Sequence, residues 1–218
     1  MMMGGRRRAL IGGSKSQLVN SLAVGSLVRI ANDALKDYQV AGESNYILVD
    51  KTYNGTSCCV LIRWKTVSSD GWGLMWNSPA VSGYSGRNID NFCTSTMYNS
   101  LDTLSKSLLT NVAINVYNTS LVQTTLNRSI FVPSGKEYLD YAFALTGTAI
   151  SHLVNESPKL TTWFRDEYSS SNAGICISGA FQWANKSTNR RVRPMIIFSN
   201  AAKCSLTANS DGSYSIIA

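Results

Sequence analysis

Asn54-Gly55 lies between two apolar runs, NYILVD (45–50) and CCVLIRW (58–64). A two-residue hairpin turn needs positive φ at its central positions, which Asn and Gly supply at least cost. The pair therefore predicts two antiparallel strands joined tightly at residue 54. The same grammar recurs along the chain. GSLVRIAN (25–32) alternates apolar and polar residues, DYQVAG (37–42) follows, and NVAINVYN (111–118) alternates again. SIFVP (129–133) is a brief strand, and further strands are expected near 173–178 and 190–198. A last hairpin is expected in AKCSLTANSDGSYSII, turning at Asp211-Gly212. Short strands at this spacing with polar turns argue for an antiparallel meander.

Helical signals interrupt this pattern in two places. After the glycine- and tryptophan-rich GWGLMWNS (71–78) and the loop PAVSGYSG, Asn88 is expected to cap a helix carrying Ile89, Phe92 and Leu101. A second short helix is expected to hold Leu101, Leu104 and Leu108. Ser134-Gly135-Lys136-Glu137 is an S-x-x-E capping box opening a helix with Tyr138, Leu139 and Tyr141. Residues 145–160 read as a polar connection. Strands with two to three short helices and long loops define an α+β class.

The 218 residues are 44% hydrophobic and 15% charged, which describes a folded chain able to bury a core without disulfides or metals. Arg6, Arg7, Arg8 and Lys15 supply more than half of the net charge of +7, and residues 1–20 contain no acid. This stretch lacks periodicity and cannot bury itself. It reads as a basic anchoring arm, residues 1–20, ahead of a single domain, residues 21–218. Docking on protein, or a merely solvated arm, is the expected reading of so short a cationic run, in preference to nucleic acid. Gly12, Gly13, Ser14, Lys15 and Gln17 interrupt any secretory core, and no apolar stretch is long enough for a spanning helix, so no membrane insertion is expected.

Recognisable catalytic chemistry is sparse. His152 is the only histidine, so a two-histidine metal site is excluded. Cys58, Cys59, Cys93, Cys176 and Cys204 include no C-x-x-C pair and are expected to be buried, reduced thiols. No nucleophile elbow, phosphate loop or dinucleotide fingerprint occurs. The sequons at Asn54, Asn118, Asn127, Asn155 and Asn185 are what an Asn-, Ser- and Thr-rich chain produces by chance. Neither a metal, a cofactor nor a catalytic residue is assigned, and binding is favoured over catalysis.

The block TTWFRDEYSSSNAGICISGAFQWANKSTNRRVRPMIIFSN (161–200) supplies the binding candidates. Tyr and Trp give rigid amphipathic area, while Ser and Asn give adaptable hydrogen bonds. Tyr168, Asn172, Phe181, Trp183 and Asn185 are the candidates for stacking on a sugar ring and for bonding its hydroxyls. Asp166 and Glu167 are adjacent acids that suit a cation or sugar hydroxyls, and equally a solvated loop. Phe181 and Trp183 fit either the sheet core or the displayed face.

The order of these pieces resembles a domain family of unknown function frequent in Firmicutes and gut-phage proteins. That family ends in W-L-R-S-P, a run of Tyr/Ser/Asn-rich strands, and G-V-R-P-A with an apolar tail. Here Trp163-Phe164-Arg165 stands for the first motif, and Arg191-Val192-Arg193-Pro194-Met195-Ile196-Ile197 for the last. LAVGSLVRI, MWNSPAVSGYSGRNIDNFCTSTMYNSL and SIFVPSGKEY resemble its upstream segments, so the likeness covers roughly residues 22–200. Asp166-Glu167 replaces Ser-Pro, Arg191 replaces Gly, and Met195 replaces Ala. The resemblance implies a C-type-lectin-like mixed fold, in which an antiparallel sheet displays variable loops. The start Met3-Gly4-Gly5-Arg6-Arg7 also resembles phage virion proteins.

What the resemblance implies is a head- or tail-associated virion surface protein, made in the bacterial cytoplasm and expected to form a homo-oligomer. Its arm would hold other virion proteins, and its loops would face a host surface glycan or protein. Two alternatives stand beside this: a decoration or adaptor protein without a receptor, and a glycan-acting enzyme using Asp166 or Glu167.

Overall fold

The computed structural model describes residues 15–30, 44–64, 74–76, 83–120, 122–145, 162–177 and 180–218. The class is mixed α+β and mostly strand. Strands β1 (Ser16–Leu18), β2 (Leu27–Ile30), β3 (Ser44–Tyr53), β4 (Thr56–Arg63), β8 (Ile130–Phe131), β13 (Met195–Ser199), β14 (Lys203–Ser205) and β15 (Tyr214–Ile217) form one sheet. Their order is β1-β14-β15-β2-β3-β4-β13-β8. A second sheet contains β5 (Leu74–Met75), β9 (Thr162–Glu167), β10 (Asn172–Ile177), β11 (Ala180–Asn185) and β12 (Asn189–Val192), ordered β11-β10-β9-β12-β5. β6 (Val112–Tyr117) and β7 (Gln123–Arg128) make a separate hairpin.

Asn54 and Gly55 close the β3–β4 hairpin with φ of 46° and 80°, and Tyr53 pairs with Thr56 across them. The Asn54-Gly55 turn is thus present as expected. β6 shows strict alternation of buried and exposed residues, the mark of a half-buried strand. β4 and β13 are instead buried along continuous runs, Cys58–Arg63 and Met195–Phe198, because both of their faces are covered. The five cysteines are free and buried. Burial lifts the thiol of Cys58 to about 11 and that of Cys59 to about 12.

Several expectations need correction. The sheets are not purely antiparallel: β15 runs parallel to β2, and β12 parallel to β9. The apolar run at 190–198 is not one strand. Pro194 cannot donate to a ladder, and the chain passes there from β12 in the second sheet to β13 in the first. The carbonyl of Pro194 accepts from the Arg63 amide at 2.9 Å, and the Arg193 guanidinium bonds the carbonyls of Arg63 and Trp64. The strand expected near 173–178 is present as β10, but Asp166 and Glu167 end β9 and do not lie in a solvated loop. The polar segment β7 was not expected as a strand at all. The ordered fold also begins ahead of residue 21, because β1 pairs with β14 and Val19 is fully buried.

Helices α1 (Asn88–Asn91) and α2 (Tyr98–Ser100) flank a π-helical stretch at Phe92–Met97, and α3 (Thr103–Leu108) follows. Asn88 does not cap α1: Arg87 holds that position without a side-chain bond. The turn before it is secured from inside the helix. The Asp90 carboxylate accepts from the Gly86 amide at 2.8 Å, and the Asn91 amide donates to the Gly86 carbonyl at 3.0 Å. Leu101 stays outside α3, which Asp102 caps through the Ser105 amide at 2.6 Å.

The capping box at Ser134 and Glu137 is formed and opens α4 (Gly135–Ala144). DYQVAG, residues 146–160 and Arg6–Arg8 lie outside the described residues. No helix among the described residues is long and apolar enough to cross a membrane.

Candidate binding cleft

A cleft of about 640 Å³ opens between the β3–β4 hairpin, the β6–β7 hairpin, α4 and the second sheet. Its floor is an ion pair built from a helix cap. Glu137 is the N3 residue of α4, and the Ser134 amide donates to its Oε2 at 3.0 Å. The same carboxylate takes both ends of the Arg165 guanidinium: Nη1 bonds Oε2, and Nη2 bonds Oε1 at 2.6 Å. The Tyr53 hydroxyl donates to Oε1 at 2.5 Å. Arg165 also donates to the carbonyls of Val132 and Asn115, each at 3.2 Å. Burial alone would raise the carboxyl of Glu137, but its hydrogen bonds and the charge of Arg165 hold it below the usual range. Burial likewise pushes the Tyr53 phenol well up, so it stays a hydrogen-bond donor.

Two β-bulges aim acids into this space. On β9, Trp163 pairs with Ile175 and Glu167 with Ala173, so the residues between them bulge opposite Gly174. The freed Arg165 amide bonds the Pro133 carbonyl at 3.1 Å, tying the bulge to the start of α4. Asp166 leaves the bulge to accept from the Gly135 amide at 2.5 Å. Burial raises its carboxyl above the usual range, against the pull of that amide. On β3 the register shifts on both sides of Asp50, whose carboxylate accepts from the Lys51 and Thr52 amides at 2.7 and 3.2 Å. Bulges of this kind re-aim side chains that a regular strand would alternate away.

An aromatic ladder leads from the core to the rim. Tyr138 and Phe164 are buried with ring centroids 5.2 Å apart, and Phe181 stacks on Phe164 at 5.6 Å and 5°. Trp183 meets Phe181 edge to face at 4.7 Å, and Tyr168 lies 5.1 Å from Trp183. Phe181 thus packs against the core, while Trp183 is 43% and Tyr168 64% exposed. Two glycines make room for Phe181. A Cβ on Gly135 would stand 2.2 Å from its ring, and one on Gly174 3.0 Å.

The other expected site residues are distributed differently. Glu167 lines the cleft, but its carboxylate is buried against Lys186 and accepts from the Gly83 amide at 2.7 Å. It is not a displayed loop acid. Lys186 itself lies over the Trp76 ring at 4.5 Å. Asn172 and Asn185 pair at the open end of β10–β11 and serve the adjoining turns: the Asn172 carbonyl accepts from Tyr168 and Ser169, and Asn185 Oδ1 from Ser187. Lys15 is exposed.

The residues missed by sequence reasoning are Tyr53, Asp50, Glu137 and Arg165 as parts of one site, with Tyr117, Asp140 and Tyr141 around it. The capping-box glutamate was the available signal, since its side chain had to point back towards the helix start. Among the described residues no group of three Cys, His, Asp or Glu is placed to hold a metal. No family model, curated protein or solved structure matches the chain.

Proposed function

We propose that this chain is a phage virion surface protein whose lectin-like domain binds saccharide in the cleft above Arg165 and Glu137. The observation that carries the binding reading is the pairing of an exposed Tyr168–Trp183 aromatic edge with a fixed polar floor. Sugar rings present C–H faces to aromatic surfaces and hydroxyls to carboxylates and phenols, and Trp183 and the floor groups line one opening, with Tyr168 packed against Trp183. Pre-organisation supports the reading, because the floor groups are held by bonds made before any ligand arrives. The C-type-lectin-like fold is supported by the order of sequence motifs and by a five-stranded sheet that carries the exposed aromatics. The virion assignment rests on the same motifs and on the Met3–Arg7 start, with the arm as its anchor to other virion proteins.

Binding of the full chain to host cells and to a saccharide array tests the proposal. Trp183→Ala should weaken binding about tenfold, the scale of one aromatic contact with its buried area. If no cell or saccharide is retained, and Trp183→Ala changes nothing, the receptor reading fails and a decoration protein is the remaining account. The enzyme reading has less support, since Glu167 is committed to Lys186 and cannot join Asp166 at one substrate.

A further inference from the structure

We infer that the cleft selects saccharides carrying an unmodified, protonated amine over neutral or acidic ones; this rests on the saccharide-binding reading. The reason is the balance of charge around the opening. Glu137 is neutralised by Arg165, Glu167 by Lys186, and Asp140 by Lys136 at 2.5 Å. Asp50 and Asp166 remain. Asp50 accepts from the Lys51 and Thr52 amides and the Thr52 hydroxyl, and Asp166 from the Gly135 amide. Among the described residues neither forms an ion pair, and Arg165, whose charge reaches Asp166, spends its direct bonds on Glu137. Both line the same cleft, and each is delivered by a break in strand register. Beside them stands the half-exposed Trp183, whose ring favours a cation near it.

This negative opening sits on a chain whose net charge is +7. The protein as a whole repels cationic ligands, so attraction of one has to come from a local site. Carboxylates with spare lone pairs accept from an ammonium and repel a carboxylate or phosphate. An acetylated amine offers one donor and no charge, so it loses the charge-assisted bond while keeping the ring contacts.

Calorimetric titration of the full chain with a glucosamine oligomer, its N-acetylated counterpart and a uronic acid oligomer tests this. The pH is set where the free amine is protonated. The amine form should bind about tenfold tighter than the acetylated form, as a charge-assisted bond implies, and the uronate not measurably. Asp166→Asn and Asp50→Asn each keep an oxygen for the backbone amides, so the fold is retained. Their combination should bring the amine preference to about unity. Equal wild-type affinity for the two forms would overturn the amine inference and leave saccharide binding standing. A preference that survives in the double variant would overturn it as well. Failure of all three oligomers to bind would sink both.

Discussion

Replacing Arg165 with Met removes the one cation that, among the described residues, neutralises Glu137. The two side chains are 5% and 20% exposed, so solvent screens them little. The substitution leaves a buried carboxylate with only the Tyr53 hydroxyl and the Ser134 amide, and strips the Val132 and Asn115 carbonyls of a donor. Breaking a buried pair from one side costs about 3–5 kcal/mol. In a chain of this length that lowers the melting temperature by roughly 10 °C. The pH dependence gives a second reading. A carboxyl held below its ordinary value stabilises the fold above about pH 4 and loses that contribution as pH falls through the depressed value. The gap between wild type and Arg165→Met, followed by calorimetry, should therefore be widest at neutral pH and close in acid. Adding Glu137→Gln should cost less than the sum of the two single changes, because the stranded charge is gone. A loss below about 1 kcal/mol, the scale of an exposed pair, or a gap that does not change with pH, would refute the buried-pair account.

Other perturbations probe the supporting structure. Asp166→Asn should match or exceed the wild-type melting temperature at neutral pH. A carboxyl raised by burial costs stability once pH exceeds its unfolded value, and Asn removes that cost; a variant weaker at neutral pH than in acid would contradict this. Gly135→Ala drives a methyl into the Phe181 ring and should lower stability by about 1–3 kcal/mol, with a change in Trp183 fluorescence as the ladder shifts. Unchanged stability and emission would mean the ring moves aside freely. The thiols of Cys58 and Cys59, raised by burial to about 11 and 12, should resist a disulfide reagent at neutral pH until denaturant is added.

What the sequence disclosed and what it concealed follow from the range of the interactions. The Asn54-Gly55 turn, the Ser134 capping box and the alternation in β6 are set by neighbours within a few residues, and all were readable. β7 was missed because its residues are mostly exposed and carry no apolar period. Asn88 misled because the local turn is held by Asp90 and Asn91 instead. In the site, the sequence leaves Phe181 and Trp183 open between core and display, and the burial of Glu167 is not legible in it at all. Its partner Lys186 lies across the β10–β11 hairpin, and only pairing of those strands brings them together. Asp50 and Arg165 are more distant still in sequence, and they share a cleft only once the two sheets are built.

The two bulges and the two glycines point to one physical trade. A regular β9 would alternate Arg165 and Asp166 to opposite faces, burying one acid or one base away from the opening. The bulge opposite Gly174 lets Arg165 reach Glu137 while Asp166 meets the start of α4. That geometry requires Phe181 to cross over two positions without side chains, which costs packing surface and backbone entropy. Burial of Asp166 also costs stability, since desolvation outweighs the Gly135 amide and the charge of Arg165. Alanine at either glycine would press a Cβ against the Phe181 ring, so the glycines serve the packing of the ladder, whereas an amide in place of Asp166 would remove the burial cost. Retaining a half-buried acid there is the pattern expected where a site is maintained at the expense of the fold, and a positively charged ligand would relieve the Asp166 cost directly.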